Sequence, residues 1–506
     1  MRCPQVKSKL PQGSLAFTVL AILVVGQCNP TQATERPNIL WITAEDLSPA
    51  LGCYGDPDAN TPNIDALASR STKFTHAFAN SPVCSTARSC LITGRYATSL
   101  GTMHMRSAFP IPADFVGFPA LMRDAGYYTS NNVKTDYNIR NPGPFIHECW
   151  NESSAQAHWR KRPNQDTPFF AVFNLMESHQ SRSMVWPREK FLAEIQIQLS
   201  QDQIHAPDSM HLPPYYVDTP IVRQEWARFY DCVSVMDQKV GKLLTQLEDD
   251  GLSENTIIFF FGDHGTGMPR HKRALLNTGI HIPLIVHIPN SMRKYAAQIQ
   301  ESETNRLVSF VDFAPTVLEM ALIGVPKYMQ GVSFAGQSDL RKNAVYAYRD
   351  RVDEARDLSR AVRKQDYLYI RNYMPHLGYN QPTAWPDQGA LRHEFYEAAE
   401  KINSGSSSLT AAQKHFLAPA RPFEELYDCR ADPQNLRNLA GETQFQRRLD
   451  ELRRELDELL VTSGDRGFIP EAKLMAIMDE PNAAIDSAAK RFREAAEQAW
   501  GNGGRR

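Results

Sequence analysis

Cys84 is the side chain in this sequence best suited to covalent chemistry, because it begins the segment 84–95, CSTARSCLITGR. The pattern predicts a helix that starts near Cys84, and the free backbone N–H groups of a helix N-terminus favour a thiolate or a bound anion. Arg88 follows one helical turn later, so its guanidinium would lie near the same helix end. The pair predicts a nucleophile beside an anion-binding site. The alternative is a small buried cysteine followed by a surface arginine.

Acidic residues and histidines directly follow three apolar runs of the chain. The runs are 38–43 (NILWIT), 169–175 (FFAVFNL) and 256–261 (TIIFFF), and such continuous apolar stretches are typical of strands buried on both faces. Ligands of open α/β sheets bind outside the carboxyl ends of the strands. We therefore expect one rim of the sheet to carry Glu45, Asp46, His179, Asp263 and His264. Taken alone, Asp46 would also fit a helix N-cap.

The elements that must position these side chains alternate between strand and helix patterns. A fourth apolar run lies at 283–288, and helical periodicity is clear at 226–247. This alternation predicts an α/β fold with a large, mostly parallel sheet sandwiched by helices. Beyond about residue 325, short strand patterns predict a smaller antiparallel sheet, followed by amphipathic helices at 449–460 and 483–500. The predicted boundaries are a catalytic domain at 37–340, an antiparallel subdomain at 341–460 and a helical tail at 461–506.

Composition and the N-terminal segment limit the function classes. The chain has 506 residues with a formal net charge of −2 and no long basic run, which disfavours nucleic acid as a partner. Residues 1–33 have the layout of a signal peptide, with basic residues, an apolar run at 15–25 and small residues before a cut after Ala33. One alternative is a membrane anchor, but the apolar run is shorter than the about 20 residues that an anchor needs. The other alternative is a lipoprotein signal at Cys28. We predict an exported protein without a membrane span.

Four ordered motifs resemble those of the type I sulfatases, a family of the alkaline-phosphatase-like superfamily. They are NILWITAEDL, CSTAR followed by LITGR, GDHG after a buried strand, and HKR followed by TGIHIPLIV. The resemblance runs from residue 37 to about 440, and it is closest to carbohydrate sulfatases near the heparan N-sulfatases. It implies the alkaline-phosphatase-like fold and the hydrolysis of sulfate esters or N-sulfates of sulfated carbohydrates.

The same resemblance implies that Cys84 is oxidised to formylglycine by a formylglycine-generating or maturase enzyme. Thr86 stands where the family motif usually has Pro or Ala. The aldehyde hydrates to a diol, of which one hydroxyl attacks sulfur while the alcohol leaves, and the second hydroxyl then expels sulfate.

The resemblance also assigns a metal site and the groups that contact the sulfate. Calcium, with magnesium as the alternative, would be held by oxygen-rich ligands. Glu45 replaces a commoner Asp, and His264 replaces the Asn of some relatives. Lys134 belongs to a K-x-D sequence where relatives have K-x-H, so we predict that His104 replaces the missing histidine. The metal positions are Glu45, Asp46, Cys84, Asp263 and His264, and the catalytic positions are Cys84, Arg88, Lys134, His104, His179 and Lys272, with His179 as the proton donor to the leaving oxygen.

Two other functions and one open question about specificity remain at this point. A phosphonate or phosphate monoester hydrolase could use the same diol and metal, although the sequence lacks a second full set of His/Asp ligands. A catalytically silent glycan-binding relative would not need the retained Arg88, Lys134 and Lys272. Arg349 and Arg351 either pair with a uronate carboxylate of the substrate or form ion pairs within the protein.

Overall fold

The computed structural model describes Met1 and residues 36–112, 115–336, 340–404 and 408–504. Except for Met1, the predicted signal peptide at 1–33 lies outside the described residues. None of the helices in the described part is long and apolar enough to cross a membrane.

The strands within the described residues form one large sheet, one small sheet and one two-stranded pair. They are β1 (Asn38–Ala44), β2 (Thr72–Phe74), β3 (Ala77–Phe78), β4 (Tyr128–Asn132), β5 (Glu152–Ser153), β6 (Phe169–Leu175), β7 (Thr256–Gly262), β8 (Leu284–His287), β9 (Glu303–Thr304), β10 (Val308–Ser309), β11 (Val345–Arg349), β12 (Ser359–Lys364), β13 (Tyr367–Asn372) and β14 (Glu424–Asp428).

The α-helices pack on both faces of the large sheet and on the small one. They are α1 (Pro62–Ala68), α2 (Cys84–Thr93), α3 (Ala97–Leu100), α4 (Phe118–Asp124), α5 (Pro142–Cys149), α6 (Arg188–Glu194), α7 (Pro220–Asp249), α8 (Asn277–Ile280), α9 (Phe313–Met320), α10 (Ala390–Asn403), α11 (Ala411–Leu417), α12 (Gln446–Thr462), α13 (Glu471–Ala476) and α14 (Asn482–Gly504).

The large sheet has the strand order β5-β4-β6-β1-β7-β8-β2-β9. The first five strands of this order, from β5 through β4, β6 and β1 to β7, are parallel to one another. Strand β8 is antiparallel to both of its neighbours, β7 and β2. The connection from β7 to β8 contains only the short helix α8, so the chain turns back instead of making a parallel crossover. The predicted α/β class is confirmed, with a mixed edge.

Strand β1 lies at the centre of the sheet, between β6 and β7, and all seven of its residues are buried. Ile39 and Trp41 belong to the apolar core on one face, and Leu40 and Ile42 to the core on the other. This explains the continuous apolar run, because a strand covered by helices on both faces has no solvent side.

The second sheet is antiparallel, with the order β11-β12-β13-β14, as the short strand patterns predicted. Helix α12 buries Leu449, Leu452, Leu456 and Leu460, which form a stripe at helical spacing. Residues 37–506 make one compact unit, and the domain boundaries near 340 and 460 stay a prediction.

Candidate active site

The carboxyl ends of three neighbouring strands bring the predicted acidic side chains together. Glu45 and Asp46 follow β1, and the backbone N–H of Glu45 donates to the Leu175 carbonyl of β6 at 3.0 Å. On the other side, the N–H of Asp263 donates to the Ala44 carbonyl at 3.1 Å. These bonds continue the parallel ladder beyond the strand ends, so the three carboxylates are fixed to the sheet itself.

Asp46 is held in an unusual conformation at this rim. Its φ is 53°, in the left-handed region that a non-glycine residue rarely adopts. Its backbone N–H donates to Asp263 Oδ1 at 2.8 Å, and the N–H of Gln180 donates to Asp46 Oδ2 at 2.7 Å. Strained residues of this kind concentrate at functional sites.

Two lysines and one histidine face the carboxylates. Lys272 Nζ lies 2.7 Å and 2.9 Å from the two oxygens of Asp46, and Lys134 Nζ forms a short ion pair with Glu45 Oε2. His264 donates from Nδ1 to the Gly265 carbonyl, while its Nε2 lies 3.1 Å from Asp46 Oδ1. The site is therefore a buried set of alternating charges.

The buried charges shift each other's protonation. Burial raises the pKa of Asp263, and the like charges of Glu45 and Asp46 raise it further, to about 7. Burial also acts to raise the pKa of Glu45, but Lys134 and Arg88 outweigh it and lower that pKa to about 2. Of these two carboxylates, Asp263 is therefore the one whose negative charge is less neutralised by nearby cations.

This arrangement fits a hard divalent cation. Ligand atoms of Asp46, Asp263 and His264 lie within 4.8 Å of one another, as do those of Glu45, Asp46 and His179. Asp263 Oδ2 is buried and has no hydrogen-bond partner among the described residues. Because carboxylate oxygens are preferred by Ca²⁺ and Mg²⁺, Glu45, Asp46 and Asp263 could hold such an ion.

Cys84 is the first residue of α2 and is only 4% exposed. It packs in a small apolar cluster with Val83, Met105 and Val352. Burial acts to lower the pKa of His264, but the charges of Asp263 and Asp46 outweigh it and raise that pKa to about 10. Cys84 interacts electrostatically with Lys134 and Lys272, and Arg88 of the same helix donates to Glu45. The predicted nucleophile position therefore adjoins the acidic cluster.

Arg88 lies one turn along α2 and uses its whole guanidinium within the protein. Its Nη1 donates to Glu45 Oε1 at 3.1 Å, and its Nη2 donates to Asn174 Oδ1 and to the Lys134 carbonyl, both at 2.7 Å. Its Nε donates to the Thr135 carbonyl at 2.9 Å. In this structure Arg88 fixes the loop that carries Lys134.

His179 stands at the open side of the cluster and is partly exposed. The backbone N–H of Ser181 donates to its Nδ1 at 3.3 Å, so the neutral ring carries its proton on Nε2. Burial lowers the pKa of His179 to about 3, with Lys272 and Lys134 adding to the effect.

His104 is buried, and neither of its ring nitrogens has a hydrogen-bond partner among the described residues. Its ring faces the C-terminal part of the chain, with Nδ1 4.0 Å from Glu471 Oε2, and its neighbour Met105 is the residue that packs against Cys84. Burial lowers the pKa of His104 to about 4, with Arg351 contributing. Its role as a replacement for the K-x-H histidine stays a prediction.

Asn174 and Gln180 are site residues that the sequence interpretation did not include. Asn174 is the only amide in the run FFAVFNL, and it joins Arg88, Thr43 and Asn131 through its side chain. A lone polar residue near the end of a buried strand was the available signal. Gln180 follows His179 and holds Asp46 through its backbone, which no side-chain pattern reveals.

Comparisons with known proteins agree with this geometry. The family model described as Sulfatase matches residues 37–323. An "Ulvan-active sulfatase" of Formosa agariphila is 36% identical over 483 residues, covering 87% of this chain and 77% of that protein. The human "N-sulphoglucosamine sulphohydrolase" is 24% identical, covering 86% of this chain and 91% of that protein.

Solved structures show the same fold. A 2-O GAG sulfatase superposes with a TM-score of 0.60 at 18% identity, covering 85% of this chain and 93% of its own. A phosphonate monoester hydrolase of Agrobacterium radiobacter superposes with a TM-score of 0.57 at 17% identity, covering 85% of this chain and 96% of its own. At these identities the likeness concerns the alkaline-phosphatase-like architecture alone.

Proposed function

Since the chain belongs to the sulfatase family, we propose that it is an exported hydrolase of sulfated carbohydrates that uses formylglycine at position 84 and a divalent cation. Calcium is the proposed ion, with magnesium as the alternative. The observation that carries the proposal is the position of Cys84 at the start of α2, a helix that Arg88 joins to Glu45, one of three fully buried carboxylates.

The formylglycine and the cation would supply, respectively, the attacking hydroxyl and a positive charge for the sulfate oxygens. Glu45, Asp46 and Asp263 would hold the ion. The family's modifying enzyme would have to act on the segment around Cys84 before folding, because this residue is almost fully buried in the folded chain.

Lys134 and Lys272 are placed to neutralise the substrate. Each now pairs with a carboxylate of the cluster, Lys134 with Glu45 and Lys272 with Asp46. A cation bound to those carboxylates would compete with the ammonium groups, which could then contact sulfate oxygens. Arg88 contributes by holding the Lys134 loop and Glu45. An anionic ester needs this cationic surrounding before a nucleophile can approach it.

His179 would donate the proton to the leaving oxygen. Its Nε2 carries the proton in the neutral ring, and the bonds of Nδ1 to Ser181 fix the ring orientation. A negatively charged sulfate nearby favours the protonated form of the ring. The leaving alcohol would then depart without bearing a full negative charge.

A sulfated carbohydrate is the substrate class that the relatives' names support. One relative is called ulvan-active, another acts on N-sulphoglucosamine by name, and a structural neighbour was solved with D-glucosamine-2-N,6-O-disulfate. A phosphonate or phosphate monoester hydrolase is the second candidate, because a phosphonate monoester hydrolase shares the fold.

The test is release of inorganic sulfate from a panel of sulfated polysaccharides and their disaccharides, measured beside release from matched phosphate and phosphonate monoesters. The protein is produced in a host that contains a formylglycine-generating enzyme, and Cys84→Ala is the matched control. We expect sulfate release that this substitution abolishes. Faster hydrolysis of the phosphorus esters would favour the second candidate, and glycan binding without any hydrolysis would identify a silent relative.

A further inference from the structure

A second pocket adjoins the candidate active site on the side of Lys272 and Gln180. It is a small cavity of about 30 Å³ between the loop 268–273, the end of β11 and the segment 379–392, which belongs to the long connection between β13 and β14. Lys272 and Gln180 line this pocket and also contact Asp46, so the pocket and the sulfate site share a wall.

The wall of this pocket is strongly cationic. Five of the described residues that line it are lysine or arginine, and none is acidic. Arg273 forms an ion pair with Asp353, and Arg392 forms one with Asp387. Neither aspartate lines the pocket. Arg270 instead donates to the backbone carbonyls of residues 434 and 435 and has no ion pair with a described carboxylate.

Arg349 has incomplete charge compensation as well. It is 1% exposed, and its Nη1 lies 3.1 Å from Asp357 Oδ2. The same carboxylate receives a hydrogen bond from Arg421 Nη2 at 2.7 Å, so two guanidinium groups share one negative charge. Burial lowers the pKa of Arg349 to about 10, and Arg421 and Arg273 act in the same direction. A further anion at this place would be stabilised.

Four buried nitrogen donors of the pocket residues form no hydrogen bond with a described residue. They are Nε and Nη1 of Arg349, Nε of Arg270 and Nε2 of Gln381, although Arg349 Nη1 lies at ion-pair distance from Asp357. An unsatisfied buried donor costs about 1–3 kcal/mol, so such groups are normally paired. All of these groups are donors, so the partner that would satisfy them is a hydrogen-bond acceptor. Because two of the residues carry guanidinium groups, an anionic acceptor fits best.

An exposed aromatic residue is adjacent in sequence to residues that line the pocket. Trp385 is 44% exposed and lies between Thr383 and Pro386, which both line the pocket. Aromatic side chains combine a large apolar face with low conformational cost, which suits contact with a sugar ring. The segment 379–392 thus offers both an apolar surface and a cationic pocket beside the catalytic residues.

We propose that this pocket, built around Arg349, Arg270 and Gln381, binds a second anionic group of the substrate while the scissile sulfate occupies the neighbouring site. The inference rests on the proposed sulfatase function and deepens it. The group is a carboxylate or a second sulfate of the same saccharide. Arg351 is excluded from this role, because its Nε and Nη2 donate to Glu471 at 2.6 and 2.7 Å, and its terminal nitrogens also donate to the backbone carbonyls of Asp353 and Met105.

The test compares three disaccharides that carry the same scissile sulfate. One has a uronate carboxylate, one is its carboxyl-reduced counterpart, and one has a second sulfate in place of the carboxylate. For wild-type protein we expect kcat/KM to fall about 10- to 100-fold when the second anion is removed, as for the loss of a hydrogen bond to a charged group. Whichever anionic disaccharide is preferred identifies the source of the group.

The variant Gln381→Glu adds a negative charge inside the pocket and should abolish this preference. Gln388→Glu is the matched control, because Gln388 is an exposed residue of the same segment that does not line the pocket. Hydrolysis of 4-nitrophenyl sulfate, which has no second anion, should be unchanged in Gln388→Glu, and circular dichroism checks that Gln381→Glu is folded. Equal rates of the wild type on all three disaccharides, or an undiminished preference in Gln381→Glu, would overturn the proposal.

Calorimetric titration of Cys84→Ala with the same disaccharides separates this inference from the proposed function. We expect the carboxyl-reduced compound to bind about tenfold more weakly than the uronate, and this difference does not require turnover. Absence of sulfate release by the wild type would contradict the proposed function, whereas equal affinities of the three compounds would contradict the pocket alone.

Discussion

At the residue scale, His179 has the geometry of a proton donor whose importance depends on the leaving group. Its Nδ1 is occupied by Ser181, so the neutral ring carries its proton on Nε2, and a ring nitrogen lies within 4.8 Å of carboxylate oxygens of Glu45 and Asp46. General acid catalysis is worth about 10²- to 10⁴-fold when the leaving group is a poor one. An activated aryl sulfate needs little of this help.

We therefore predict that His179→Gln lowers kcat about 100-fold or more for a saccharide sulfate but much less for 4-nitrophenyl sulfate. Parallel kinetics on the two substrates measure the difference, with His393→Gln as a control because His393 is exposed on α10. Equal losses on both substrates would remove the proton-donor role.

At the element scale, the end of β6 couples the sheet to α2, the helix that begins with Cys84. Asn174 Oδ1 accepts from Arg88 and from Thr43, while Asn174 Nδ2 donates to Asn131 Oδ1 at 2.9 Å. One amide thereby links β1, β4 and β6 with α2. Arg88 in turn holds the loop that carries Lys134.

We predict that Asn174→Ala lowers kcat about tenfold or more while the protein stays folded, because a misplaced catalytic loop loses transition-state contacts. Steady-state kinetics and circular dichroism check the two parts of this statement. The conservative variant Asn174→Asp keeps the acceptor and should retain more activity than Asn174→Ala. If Asn174→Ala has wild-type kcat, the coupling has no catalytic importance.

The sequence predicted the elements that obey simple periodicity. The runs that form β1, β6 and β7 are buried on both faces, and their continuous apolar residues therefore predicted the strands of the sheet. The acidic residues that follow them predicted the rim of the sheet. The direction of β8 was not predictable, because an apolar run has the same composition in either orientation. The roles of Asn174 and of the cationic pocket depend on contacts between segments far apart in the chain, such as Arg349 and Gln381.

At the scale of the whole molecule, the proposed metal site would connect stability to metal binding through its buried carboxylates. Glu45, Asp46 and Asp263 are fully buried, and the pKa of Asp263 is raised by burial and by the other two. A ligand that binds only the folded state stabilises it by about 2.7 kcal/mol at 100 times its Kd.

We accordingly expect calcium to raise the Tm of chelator-treated protein, and this increase should be much smaller in Asp263→Asn. Differential scanning calorimetry with and without calcium measures both shifts. An identical Tm of the wild type under the two conditions would contradict a calcium site at these residues.

Acid should destabilise the fold through His281, which is not among the proposed metal ligands. Burial lowers the pKa of His281 to about 3, with Arg363 adding to the shift, and its Nε2 bonds to the Thr75 carbonyl at 2.9 Å. In the unfolded chain the same ring takes a proton below about pH 6.5. The contribution of the neutral His281 ring to the free energy of unfolding is therefore fully present above pH 6.5. It is lost as the pH falls toward 3.

Between about pH 7.5 and pH 5, His281 should account for about 2 kcal/mol of lost stability. Urea unfolding at the two pH values should show a smaller loss in His281→Gln than in the exposed control His393→Gln. The same loss in both variants would mean that His281 is protonated in the folded chain.

The measurement that tests the central claim most directly is the mass of the tryptic peptide 74–88 from protein that releases sulfate. Cys84 lies in this peptide, and its conversion replaces the CH₂SH side chain by an aldehyde or its hydrate. We predict that the converted form is present and that its fraction follows the specific sulfatase activity across preparations. An unmodified thiol in fully active, metal-loaded protein would contradict the account.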